Sequence, residues 1–178
     1  SFAYPADGSV LRVGTSTVTA TAQQGTSSSA EGVINALAIS VFGGEVTVDS
    51  LDIRAGAAAG PAGATGDVGT STINGLVVLG QSVTPSGNVQ LPLADWGTLD
   101  VLSSTRSTSD SPRSAESAVT GLRIRLIAEH AGLPAGTQMV VGVASARAAA
   151  QVAPTTPPPA NVDATPRAAS TPATRPGA

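Results

Sequence analysis

Apolar side chains recur at every second position in several stretches of the first 150 residues, and glycine separates many of these stretches. Alternation of this kind predicts strands that bury one face. Two such runs, with apolar residues at 37, 39 and 41 and at 46 and 48, flank Gly43-Gly44. Because the favoured tight turns need positive φ, this arrangement predicts a β-hairpin. The apolar phase then slips by one residue at Ser50-Leu51, which predicts a bulge or a bend.

The same pattern predicts about ten short strands and no convincing amphipathic helix. Pro92 places the run 89–93 at a sheet edge, because proline cannot donate to a ladder. Arg123 and Arg125 alternate with apolar residues, and a strand puts both on one face. The other predicted strands cover residues 10–13, 16–21, 37–41, 46–53, 72–73, 76–79, 99–101, 122–126 and 139–143.

Three stretches are predicted to be loops, and Gly14 is predicted to join the first two strands. Residues 23–29 and 103–117 are polar, and residues 54–69 are rich in glycine and alanine. The glycines at 60, 63, 66 and 69 keep the Gly-X-Y spacing of collagen. A triple helix needs three chains and many more triplets, so a flexible loop is the favoured interpretation.

These elements predict an all-β domain over residues 1–150, in the form of a β-sandwich or a jelly-roll-like pair of sheets. The alternative is a β-solenoid. Three segments, starting at Val33, Ile73 and Val119, share a loose motif of a β-branched residue followed by a small residue and leucine. Their spacings are uneven, whereas true repeats are more regular, so the sandwich is favoured.

Composition narrows the chemistry of this domain. Aromatic residues are limited to Phe2, Tyr4, Phe42 and Trp96, so valine, leucine, isoleucine and alanine must fill the core. The absence of cysteine excludes disulfides and thiolate metal sites. All nine basic residues are arginine, and the net charge is −3. An acidic chain without basic clusters argues against binding to nucleic acid or to an anionic membrane. No apolar run is long enough to span a bilayer.

The character of the chain changes near residue 150, which places a domain boundary there. Residues 151–178 are rich in proline, threonine and alanine, and 154–178 hold seven of the thirteen prolines. This composition predicts an extended tail of polyproline II type that acts as a spacer. Its threonines are candidate O-glycan sites, namely Thr155, Thr156, Thr165, Thr171 and Thr174.

Five segments of the body carry a resemblance to a known family. They read GGEVTVDSLDIR (43–54), STINGLVVLGQSV (71–83), GTLDV (97–101), VTGLRIR (119–125) and VVGVASAR (140–147). In this order the chain resembles bacterial surface proteins of the choice-of-anchor P type, over roughly residues 30–147. The resemblance implies a secreted, β-rich protein joined by a low-complexity linker to a C-terminal anchor. It brings no catalytic residues to this chain, which has no recognisable anchor.

Few residues suggest chemistry. His130 is the single histidine, but no Gly-x-Ser-x-Gly motif accompanies it, so it is interpreted as a turn residue and not as a catalytic base. The pairs Asp49/Asp52 and Asp95/Asp100 lack the alternating acidic loop of calcium sites. No catalytic, cofactor-binding or metal-binding residue is therefore predicted, and no cofactor is expected.

Two other features have competing interpretations. Trp96 is either a plug at one end of the core, which is the favoured interpretation, or an exposed anchor for a partner. Arg123 and Arg125 form a solvated strand face or protect an edge strand, and both interpretations are favoured over an anion site.

The sequence therefore favours a non-enzymatic structural protein, extracellular and held at a bacterial cell surface. Its expected partners are cell-wall components or other copies of itself, joined by strand exchange into a filament or layer. Residues 1–21 are the candidate donor, because they are β-prone and terminal. The first alternative is an adhesin that binds carbohydrate or protein through Trp96 and the polar loops. The second, least favoured, is a hydrolase based on His130.

Overall fold

The computed structural model describes residues 1–110 and 113–150, and these residues are almost entirely β-strand. The one helical turn among them is Phe42–Gly44. The all-β prediction is therefore confirmed, whereas residues 151–178, with the predicted tail, lie outside the described residues. The strands are β1 (Phe2–Tyr4), β2 (Leu11–Gln23), β3 (Ser28–Val41), β4 (Val46–Gly60), β5 (Gly63–Asp67), β6 (Thr72–Asn74), β7 (Leu76–Val78), β8 (Gln81–Val83), β9 (Val89–Leu93), β10 (Gly97–Asp110), β11 (Arg113–Leu126) and β12 (Gln138–Ala149).

The strands form two antiparallel sheets that pack face to face as a sandwich. The first sheet has the order β1-β2-β3-β4-β7-β8, and β5 and β6 also pair with β4. The second sheet has the order β12-β11-β10-β9. β4 packs on β11 and β12, β3 packs on β12, and β5 packs mainly on β11 and β10. The solenoid alternative is wrong, because antiparallel hairpins, and not stacked coils, connect the strands.

The predicted hairpin at Gly43-Gly44 and the edge position of Pro92 are both confirmed. β3 and β4 are antiparallel partners, and their pairing begins with Val41 opposite Val46. Gly43 and Gly44 form the turn between them and have positive φ. β9, which contains Pro92, is the last strand of the second sheet. Both features could be predicted from a single residue type, because glycine permits the positive φ of a tight turn and proline lacks the N–H that an interior strand needs.

The predicted phase slip is confirmed as a crease that crosses both sheets. Buried positions in β4 change from even (Val46, Val48) to odd (Leu51, Ile53), while the register with β3 continues unchanged. The slip is thus a bend that neighbouring strands share, and not a bulge in one strand. The crease is the line of positions Gly14, Ala38 and Asp49 in the first sheet and Leu102, Gly121 and Gly142 in the second.

Backbone conformation and packing explain the crease. Ala38 and Leu102 adopt φ of 52° and 51°, and Gly142 adopts 73°. A Cβ added at Gly121 would lie 2.6 Å from Leu51 Cδ2 and 2.9 Å from the Val141 carbonyl oxygen. Leu51 therefore occupies the space that the missing side chain of Gly121 leaves in the facing sheet.

The crease divides the sandwich into two halves with different cores. The lower half, which ends at the Phe42–Gly44 turn, is filled by large aliphatic side chains such as Val46, Leu99 and Ile124. In the upper half, alanines occupy alternate buried positions of β4 and β12, and β11 buries Ala115 and Ser117 there. Ser117 Oγ donates to the Gly56 carbonyl of the facing sheet at 2.7 Å.

Three predictions about loops and turns are wrong for the same reason. Residues 54–69 continue β4 and form β5, residues 103–110 and 113–117 continue β10 and β11, and β2 passes Gly14 without a turn. The strands are therefore longer than predicted, and six of them have 12 to 15 residues. Alanine, serine and threonine alternate too weakly in hydropathy to mark a strand, although close sheet packing buries Ala55, Ala57 and Ala59.

Candidate functional site

Three turns bring two of the four aromatic residues and the single histidine together at the lower end of the sandwich. Phe42 lies in the β3–β4 turn, Trp96 between β9 and β10, and His130 between β11 and β12. The Trp96 and His130 rings stack at a centroid distance of 3.8 Å with an interplanar angle of 4°. Phe42 meets both rings edge-on, at 5.3 Å and 4.9 Å. The cluster closes the core between the two sheets at this end.

Trp96 is buried, with 8% of its surface exposed, as the plug interpretation predicts. Its carbonyl oxygen accepts hydrogen bonds from the backbone N–H groups of Ile127 and Ala128. The turn after β11 is therefore tied to the turn before β10. A buried tryptophan fixed at both ring and backbone is a core element, and its ring is not available as an anchor for a partner.

His130 has an acidic neighbour that sequence spacing did not indicate. His130 Nε2 lies 2.9 Å from Glu45 Oε2, and the two residues are 85 positions apart in the chain. Among the described residues, Glu45 is the one side chain hydrogen-bonded to His130. A Ser-His-Asp arrangement needs a nucleophile on the other ring nitrogen, so this pair alone forms only part of such a site. Its evident effect is to join the β3–β4 turn to the β11–β12 connection.

The two aspartate pairs do not form a ligand cage. With the Asn35 amide oriented so that its nitrogen faces the Asp52 carboxylate, this nitrogen donates to Asp52 Oδ2 at 2.7 Å. Gln90 Nε2 donates to Asp100 Oδ1 at 2.7 Å. No group of three histidine, aspartate or glutamate side chains within residues 1–110 and 113–150 is placed to hold a metal ion. The pKa of the Asp7 carboxyl is lowered because the Ser9 backbone N–H donates a hydrogen bond to it.

An open cleft of about 650 Å³ lies on the first sheet, beside β4 and the β5–β6 connection. Sequence analysis missed it, because residues 54–69 were predicted to be a loop. Arg54 Nη1 lies 3.7 Å from Glu31 Oε1, and both side chains are about half exposed. Asp52, Asp67 and Thr72 also line the cleft. Water screens charges at such an exposed site, so the ion pair contributes little.

Arg123 and Arg125 lie on one face of β11, as predicted. Arg125 is exposed, and Arg123 is half-buried opposite Asp100 of β10. β11 is an interior strand of the second sheet, so neither arginine protects an edge. The Asp100 carboxylate on the neighbouring strand weakens the attraction of this face for an anion, although no salt bridge joins it to Arg123 among the described residues.

The sheets also leave free edges, and one of them belongs to β2. β1 pairs only with Leu11, Arg12 and Val13, so the upper part of β2 has a neighbour on one side alone. Every residue from Thr15 to Gln23 is exposed. We call this stretch, residues 15–23 of β2, the β2 free edge. Its N–H and C=O groups on the outer side are available to another strand.

A second free edge has the same origin. β9 pairs with β10 from Gly97 to Val101 and leaves residues 103–110 with β11 as their one neighbour. We call residues 103–110 of β10 the β10 free edge. Residues 1–21, the predicted donor, form β1 and most of β2 within the chain's own first sheet, so they are not a free segment.

Comparisons with known proteins found no match to this chain. No protein-family model matches the chain, and no curated protein or solved structure is significantly similar to it. Within the described part of the chain, no helix is long and apolar enough to cross a membrane. Function must therefore be inferred from the geometry above.

Proposed function

We propose that this chain is a non-enzymatic structural protein of a bacterial cell surface that assembles with copies of itself. The observation that carries the proposal is the pair of open sheets with long unpaired edges in the described body. An unpaired edge is a template for strand addition, and added main-chain hydrogen bonds join subunits without a dedicated pocket. The extracellular location rests on the proline- and threonine-rich tail composition and on the resemblance to choice-of-anchor P proteins.

The side chains that suggested other functions support the proposal indirectly. Trp96, on which the adhesin alternative depended, is buried in the aromatic cluster. His130, on which the hydrolase alternative depended, pairs with Glu45 and stacks on Trp96. Both residues join turns at the lower end of the sandwich. A body in which these two residues hold the turns together suits a structural subunit.

Two experiments test the proposal. Electron microscopy of the purified full chain should reveal filaments or layers, or at least regular oligomers that grow with concentration. Protease treatment of intact producing cells should digest the protein, because the proposal places it outside the membrane. Monodisperse monomers under all conditions would contradict self-assembly, and complete protection in intact cells would contradict the surface location.

A further inference from the structure

Most edges of the described sheets are protected against strand addition. β1, β6 and β8 have three residues each, and β5 and β9 have five. Such short edges offer few hydrogen bonds, and β9 also contains Pro92. Short strands and proline therefore account for five of the edge strands.

β12 is long, but the first sheet covers part of its outer edge. Ser28 Oγ donates to the Ala149 carbonyl at 2.6 Å. A Cβ at Gly32 would lie 3.0 Å from the Ser145 carbonyl oxygen, so β3 runs close to the β12 backbone. The β10 free edge is long and open, but it carries Arg106 and Asp110. Charged side chains on an edge disfavour pairing with a neighbour.

The β2 free edge has none of these protections. It is nine residues long, and no charged residue or proline occurs from Gly14 to Ala30. The second sheet does not cover it, because β2 packs mainly on β1 and β3. The register with β3 shows which exposed side chains of β2 lie on the same face as the residues that β3 turns toward the second sheet. Ser16, Val18, Ala20 and Ala22 lie opposite Ala36, Ile34, Gly32 and Ala30, and the threonines between them face outward.

We propose that the β2 free edge is a self-association site that pairs with the β2 free edge of a second copy of this chain. The two strands run antiparallel about a two-fold axis at Thr19, and the first sheets of the two copies become one continuous sheet. This inference rests on the proposed function and names one interface of the assembly, the one that joins two copies into a dimer. A filament or layer needs a second contact in addition, because an isologous pair closes on itself. The centre at Thr19 follows from length, because only this register pairs all nine residues.

A second copy suits this edge because the segment is complementary to itself. An antiparallel pair is two-fold symmetric, so the same strand serves on both sides of an isologous interface. In the proposed register Val18 meets Ala20 of the other copy on the apolar face, and Thr17 meets Thr21 on the outer face. Threonine pairs and β-branched contacts across strands are stabilising.

Charge points to the same segment. Up to residue 147 the chain holds seven arginines and eleven acidic residues, so two copies of the body repel each other. They approach with least repulsion through a surface that has no charge. Association through the β2 free edge should therefore strengthen as salt screens the repulsion between the bodies.

The test compares two triple variants of the full chain by sedimentation velocity over a concentration series. Thr17→Arg/Thr19→Arg/Thr21→Arg places like charges opposite one another across the proposed interface. Thr105→Arg/Ser107→Arg/Ser109→Arg adds the same charge to the β10 free edge and is the matched control. Each set also puts one arginine opposite a glutamate, Glu31 or Glu116, on the neighbouring strand. Thermal melts establish that both variants fold.

We expect the β2 variant to raise the dissociation constant at least tenfold and the control to change it less than threefold. Hydrogen exchange of the unmodified chain gives a second readout that needs no variant. Within residues 15–23, the amides that point away from β3 should gain protection as concentration rises, and those on the outer side of 103–110 should not. Equal weakening by both variants, or no protection at 15–23, overturns the site while self-assembly stands. A wild-type chain that remains monomeric overturns both.

Discussion

The free edges of β2 and β10 arise in the same way and differ in chemistry. In each case a short strand, β1 or β9, covers the part below the crease, and the part above it is open. Each strand passes the crease at a single position, Gly14 or Leu102. The β2 free edge contains only threonine, serine, alanine, valine and glutamine, whereas the β10 free edge includes Arg106 and Asp110.

The comparison teaches that topology supplies an open edge and side chains decide its use. Both edges present unpaired backbone groups, so geometry alone predicts association through either. Arg106 shares the face of buried Ser117, and Asp110 ends the strand. A neighbour that paired with β10 would have to desolvate these charges, which costs free energy without a partner. The β2 free edge carries no such cost.

The largest expected effect is a loss of stability at the lower end of the sandwich, below the crease, where β1 and β9 cover the edges of β2 and β10. A substitution there should change folding, whereas the free edges above the crease should govern association. Trp96→Ala should lower the free energy of unfolding by about 3–5 kcal/mol, because it empties the centre of the aromatic cluster. Urea denaturation measures this loss. Trp96→Phe, which keeps a ring against Phe42 and His130, is the control and should lower the free energy of unfolding by less. If Trp96→Ala had no effect on unfolding, the cluster would not close the core.

The crease, which both edges cross, should matter for stability and not for self-association. Gly121→Ala should cost about 1–3 kcal/mol, since the added methyl meets Leu51 and the Val141 carbonyl. Under conditions in which Gly121→Ala remains folded, its dissociation constant for self-association should equal that of the wild-type chain. In a double-mutant cycle, Leu51→Ala should reduce the cost of Gly121→Ala. Additive effects of the two substitutions would show that the residues do not share this space.

A smaller effect, on the size of the assembly, should follow when the β10 free edge is made as free of charge as the β2 free edge. Arg106→Thr/Asp110→Thr removes the charges from the β10 free edge, and it should produce assemblies larger than the wild-type oligomer. An increase in association of about tenfold corresponds to about 1.4 kcal/mol. Arg125→Thr/Asp95→Thr removes the same charges away from the free edges and should leave assembly unchanged. Light scattering compares the two, and equal behaviour would show that edge charge is not the deciding difference.

Sequence could predict the features that depend on a single residue type. Gly43-Gly44 fixed a hairpin, Pro92 marked an edge, and the scarcity of aromatic residues pointed to Trp96 as a plug. The β2 and β10 free edges could not be predicted, because they depend on where β1 and β9 stop pairing. The stretches 54–69 and 103–117 resembled loops, since burial of small residues is set by the facing sheet and not by local hydropathy. Glu45 as the partner of His130 had no local signal either.

Disulfide trapping tests the central claim most directly, because the chain contains no cysteine of its own. In the proposed register the two copies of residue 19 have Cα atoms about 4.5–5.5 Å apart, within reach of a disulfide. Two copies of residue 17 are displaced by four residues, or about 14 Å along the strand.

Under mild oxidation, Thr19→Cys should therefore form a covalent dimer rapidly. Thr17→Cys and Thr105→Cys should remain largely monomeric on a non-reducing gel, and a mixture of Thr17→Cys with Thr21→Cys should cross-link. This pattern is the result that the account predicts. Cross-linking of Thr105→Cys as fast as Thr19→Cys, or none at Thr19→Cys, would contradict pairing through the β2 free edge.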